Sequence, residues 1–132
     1  MTTQQTIPLV YIMSPYYHKY ELIRRDRFRA VKVYTGQLTA RFHCAMFYSP
    51  IVYFHPITDE FSLLTNIDYW REHDLTMIYK ADLGIVLEEP GWQESVGIKW
   101  ELDQFNTQSK LVIHDVLTGG HEVVGQALQK LA

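Results

Sequence analysis

Two carboxylates interrupt apolar helical stripes. Asp74 lies seven residues after Ile67, four after Trp70, three before Met77 and four before Ile78. Glu101 lies three residues after Ile98 and four before Phe105. Both spacings put the side chain on the inward face of a helix. An ionised carboxylate there is costly unless paired or hydrogen-bonded. Either residue alone fits the edge of a stripe, where it reaches water or a backbone amide. Two of them near one expected crevice point toward a functional site.

Other polar residues stand beside them in the chain. Ser95 is placed to begin the helix that carries Glu101. It reads as an N-cap, and the same free amides and helix dipole would hold a phosphate. Gly97 omits a side chain in the first turn, four residues before Glu101. The gap admits a small molecule or allows close packing. Tyr11, near the end of an apolar run, is either core or the hydrogen-bond partner that orients a carboxylate. Trp92, Tyr16 and Tyr17 flank the expected crevice and fit a flat ring between them, though packing explains them too. The histidines, at 18, 43, 55, 73, 114 and 121, never fall into a metal-ligand spacing such as HExxH. His73 points away from Asp74 on its helix. GxSxG, P-loop and GxGxxG motifs are absent. Cys44 reads as buried and inert.

The elements that must position these residues follow from periodicity and punctuation. Ile7 to Met13 reads as a buried strand, ended by Ser14-Pro15. Leu22 to Ala40 reads as a helix with Phe28, Val31, Thr35 and Leu38 inward. Ala45 to Tyr48 and Ile51 to Phe54 read as short strands, with a loop from Pro56. Ser62, Thr65 or Asn66 would cap a helix running to about Lys80. Leu83 to Leu87 is a strand, Ser95 to about Asn106 a helix, Leu111 to His114 a strand and His121 to Leu131 a terminal helix. Strands alternating with helices imply an α/β fold, a mainly parallel sheet flanked by helices in a flavodoxin- or Rossmann-like three-layer arrangement. Ligands in such folds sit beyond the carboxyl ends of the strands. That points to the loops after Met13 and Leu87.

Composition bounds the function. One domain fits 132 residues, and a hydrophobic content of 47% supports a core. The formal charge of −3 gives no basic surface for a nucleic-acid polymer. The arginines at 24, 25, 27 and 29 read as a solvated helix face. A single cysteine excludes an internal disulfide and suits a cytoplasmic protein. No apolar run is long enough to span a membrane, and the first residues lack the pattern of a signal peptide.

Three ordered segments carry a resemblance. They are Tyr11-Ile12-Met13-Ser14-Pro15-Tyr16, then Asp74-Leu75 with Lys80-Ala81-Asp82-Leu83-Gly84-Ile85-Val86, and Ser95-Val96-Gly97-Ile98-Lys99-Trp100-Glu101. Together the chain resembles the nucleoside 2-deoxyribosyltransferase superfamily, which includes nucleoside 5′-monophosphate N-glycosidases. The surroundings of Gly91-Trp92 and Ser49-Pro50-Ile51 are similar to a small bacterial and phage branch of it. The resemblance implies a nucleoside deoxyribosyltransferase-like domain over residues 1–132. It implies Glu101 as nucleophile on the anomeric carbon, Asp74 as proton donor to the base or ligand of a sugar hydroxyl, and Tyr11 as the residue holding Glu101. Ser95 stands where nucleotide hydrolases carry serine and nucleoside transferases aspartate, which favours a 5′-phosphate. Gly97 and Trp92 would line the substrate site. The first loop has no arginine for phosphate, so Ser14 and His18 would serve there, and Tyr16 would line the substrate site. The activity implied is hydrolysis of a (deoxy)nucleoside 5′-monophosphate, needing no metal or organic cofactor. Alternatives are deoxyribosyl transfer and nucleotide binding without turnover. A homodimer or larger homo-oligomer is implied, with Trp70, Trp100 and Tyr69 as apolar interface candidates.

Overall fold

A computed structural model describes residues 6–63 and 67–132, with only the backbone at Ile67 and Asp68. Four strands form one all-parallel sheet: β1 (Leu9–Met13), β2 (Met46–Tyr48), β3 (Leu83–Leu87) and β4 (Val112–Asp115). Their spatial order is β2-β1-β3-β4. The helices are α1 (Glu21–Arg41), α2 (Pro50–Phe61), α3 (Ile67–Lys80), α4 (Val96–Thr107) and α5 (Glu122–Leu131). This is the expected α/β architecture, layered on both sides of the sheet.

Alternation along the strands splits the core in two. Val10 and Ile12 of β1 point toward α1, α2 and α5, where they join Val31, Tyr34, Leu38, Phe54 and Leu128. Tyr11 and Met13 point the other way, toward Ile78 of α3 and Ile98 and Phe105 of α4. A strand buried on both faces needs apolar side chains at every position, which is why β1 and β3 read as continuous runs. Gly84 in β3 is required by packing, because a Cβ there would stand 2.9 Å from both Met13 and Phe105.

Three local expectations are corrected. Ile51 to Phe54 is helical, not a strand, and α2 continues through Pro56 to Phe61. Ser49 caps α2 by accepting from the Val52 amide at 3.2 Å, and Pro50 occupies the first turn, where its missing N–H costs nothing. Ser62 does not begin α3 but ends α2 in the left-handed region, at φ 51°. Thr65 and Asn66, the other expected caps, and the Ile67 side chain lie outside the described residues. Cys44 is exposed rather than buried.

The sheet order reverses between β1 and β3, so their carboxyl ends open a crevice between diverging connections. Among the described residues, no helix is long and apolar enough to cross a membrane.

Candidate active site

The crevice is a cavity of about 460 Å³, within the range of small-molecule sites. The loop after β1 contributes Ser14, Tyr16, Tyr17 and His18 to its wall. The α4 N-terminus contributes Ser95, Gly97, Trp100 and Glu101, and α3 contributes Trp70, Arg71 and Asp74. Both carboxylates singled out by spacing therefore face one space.

Each is held differently. Glu101 is buried, 6% exposed, on the face of α4 that packs against the sheet. The Tyr11 hydroxyl donates to its Oε2 at 2.5 Å. Tyr11 is itself fully buried, wedged edge-on against Phe105 and tilted against Tyr48. It touches Glu101 from behind and does not line the cavity. Asp74 Oδ1 is buried and accepts no hydrogen bond from the described residues.

Electrostatics follow from this burial. Desolvation pushes the Asp74 carboxyl up to about 7. Desolvation and the neighbouring Asp74 raise Glu101 well above the usual carboxylate range, while the Tyr11 hydroxyl opposes the rise. The pair therefore resists double ionisation. Burial and Glu101 raise Tyr11, so it stays a phenol and keeps its proton to donate.

The α4 N-terminus has the form expected of an N-cap. Ser95 Oγ accepts from the Ile98 amide at 3.1 Å, which leaves its own O–H to donate elsewhere. The gap at Gly97 is not a packing contact. An added Cβ would meet only Ser95 Oγ, at 3.7 Å, in ordinary contact. The missing side chain leaves room inside the cavity instead. Ser14, 6% exposed, has a buried Oγ with no partner among the described residues.

Trp92 is the site candidate that the structure removes. It lies in a short turn of 3₁₀ helix, Trp92–Glu94, and packs against the α3–α4 side of the core. Its ring meets His114 edge-on, with centroids 5.5 Å apart, and it does not line the cavity. The aromatic wall comes from Tyr16, Tyr17, Trp100 and the stacked pair Phe54–Trp70, whose centroids are 4.8 Å apart. Of the apolar interface candidates, Trp70 is consequently buried, while Tyr69 is exposed.

Two arginines line the cavity that sequence reasoning did not place there. Arg27 is not simply part of a solvated face, although Arg25 and Arg29 are exposed. Its guanidinium donates to the Tyr17 carbonyl at 2.8 Å and lies against Gly91. Gly91 has φ 93°, which favours glycine, and a Cβ there would stand 2.5 Å from Arg27 Nη2. Arg24, one turn earlier, donates to the His18 carbonyl at 2.5 Å. Arg24 and Arg27 together tie the β1–α1 loop to α1. Arg71, the second cavity arginine, lies three residues before Asp74 on α3, with its guanidinium over the Trp100 ring at 5.4 Å. The i, i+3 spacing to a candidate catalytic residue was the signal available for it.

Asp82, part of the resemblance motif, has a structural role: its Oδ2 accepts from the Leu9 amide at 2.9 Å and fixes the start of β1. Among the described residues, no cluster of three His, Cys, Asp or Glu side chains is arranged to hold a metal ion. Residues 8–115 match a family described as a domain of unknown function (DUF1937), and the chain belongs to that family. No curated protein matches the chain.

Proposed function

We propose that this pocket hydrolyses the N-glycosidic bond of a (deoxy)nucleoside 5′-monophosphate, with Glu101 as nucleophile. The observation that carries this reading is the buried carboxylate pair on one cavity, with a phenol donating to Glu101 and no donor to Asp74 Oδ1 among the described residues. Two ionised carboxylates cannot comfortably share such a site, so one proton stays with the pair near neutral pH. The reactive form is the one with Glu101 ionised and the proton on Asp74, and the Tyr11 hydroxyl stabilises the Glu101 anion in that form.

The chemistry then balances. A Glu101 oxygen bonds to the anomeric carbon as the carbon–nitrogen bond breaks. The electron pair goes to the base, and Asp74 donates its proton there. Water next attacks the anomeric carbon, Asp74 takes its proton, and Glu101 leaves as carboxylate. The opening at Gly97 admits the sugar phosphate close to the α4 backbone. Ser95, the first-turn amides of α4, the Ser14 hydroxyl and Arg27 supply donors for the phosphate. Arg27 fills the role for which the β1–α1 loop has no arginine.

The test is incubation with a panel of common and modified nucleotides, followed by chromatography for free base. Release of base and sugar phosphate from at least one is expected, abolished in Glu101→Ala with the circular dichroism unchanged. An added acceptor base should yield no new nucleoside. Folded protein that releases no base from any nucleotide contradicts the proposal.

A further inference from the structure

We infer that Arg71 reads the leaving base and selects one whose edge carries a carbonyl oxygen. The inference rests on the nucleotide reading of the pocket. Arg71 and Asp74 both line the cavity and are neighbours on one face of α3. The Arg71 guanidinium lies over Trp100, a cavity residue adjacent in sequence to Glu101. A cation over an indole face has a favoured position, so its donors are pre-oriented. The stacked Phe54–Trp70 pair and Ile51 add an apolar wall on which a flat ring can rest.

A guanidinium has five donors and no acceptor, and it stays charged at any working pH. It bonds well to an edge with a carbonyl oxygen beside a ring nitrogen. It bonds poorly to an edge with an exocyclic amine, whose hydrogens confront its own. Among purines this separates a 6-oxo edge, with two adjacent acceptors, from a 6-amino edge, with one acceptor and one donor. Side chains three apart on a helix lie about 5–6 Å apart at Cβ. One can therefore contact the carbonyl while the other protonates the neighbouring ring nitrogen. As the carbon–nitrogen bond breaks, negative charge spreads to the base oxygen, and a fixed cation stabilises it there.

The experiment compares 2′-deoxyinosine and 2′-deoxyadenosine 5′-monophosphates with the wild-type chain, Arg71→Leu and Arg71→Gln, each checked for folding by thermal melting. The wild type should favour the 6-oxo substrate in kcat/KM by about tenfold to a hundredfold. In the variants the ratio should fall close to one, mainly through loss on the 6-oxo substrate. An unchanged ratio in either folded variant, or a wild-type preference for the 6-amino base, overturns the inference. A calorimetric arm uses Glu101→Gln, alone and with Arg71→Leu. If the wild type releases neither base but Glu101→Gln binds the 6-oxo nucleotide more tightly, and Arg71→Leu removes that preference, the hydrolytic reading fails and the inference stands. If neither nucleotide binds, the inference is overturned as well.

Discussion

Asp74→Asn should stabilise the fold at pH 8 and leave it almost unchanged at pH 4. The Asp74 carboxyl moves from 3.8 to about 7 on folding because burial disfavours its charge. A folded value above the unfolded one means that the folded state holds the proton more tightly. This contribution is fully present below pH 3.8, falls away as pH rises, and is gone above about 7. A rise of that size corresponds to a ceiling of about 4 kcal/mol. Asp74 opens on the cavity, where water screens the charge, so about 1–2 kcal/mol is the expected gain at pH 8. Asparagine loses no bond at Oδ1, because none of the described residues donates to it. Removing the negative neighbour also relieves Glu101, which acts in the same direction. For a chain of this size the gain is a rise in Tm of roughly 3–8 °C. Calorimetry of both proteins at pH 4, 6 and 8 reads it directly. A difference that does not grow with pH, or an Asn variant that is less stable at pH 8, would refute the electrostatic reasoning.

Tyr11→Phe removes the donor to Glu101 and should lower stability by about 1–3 kcal/mol in denaturant titrations. It should also move the acidic limb of the pH–rate profile upward, because the hydroxyl holds Glu101 down. Gly97→Ala meets no steric obstacle inside the protein, so it should keep or raise Tm while raising KM, since the added methyl occupies cavity space. Arg27→Met should weaken nucleotide binding about tenfold or more and flatten its salt dependence, with little effect on the corresponding nucleoside. Calorimetric titration with both ligands checks that difference.

The carboxylates were legible because an ionisable side chain on an apolar stripe breaks a countable period. Tyr11 was legible because β1 is short and buried, so a phenol near its end has few places to send a hydroxyl. Ser95 and Gly97 could be placed once the start of α4 was fixed by Ile98, Leu102 and Phe105. The β2–α3 segment was misread because Ser49-Pro50 both ends a strand and begins a helix, and the apolar run Ile51 to Phe54 fits either element. Trp92 was misplaced because one 3₁₀ turn directs its ring to His114, which no spacing reveals. Arg27 joins the site through its approach to Gly91 and its bond to the Tyr17 carbonyl, both tertiary contacts. Cys44 is a small residue at a helix–strand connection, where composition says nothing about exposure.

Attack of Glu101 on the anomeric carbon of a nucleotide is tested most directly by trapping the covalent intermediate. The measurement is rapid acid quenching of the protein with a nucleotide that it turns over, preferably a slow 2-fluoro-sugar analogue, followed by peptide mass spectrometry. A sugar-phosphate adduct is expected on the peptide containing Glu101, absent from Glu101→Gln and accompanied by stoichiometric release of base. Base released with no adduct on Glu101, or an adduct on another residue, would contradict the nucleophilic role.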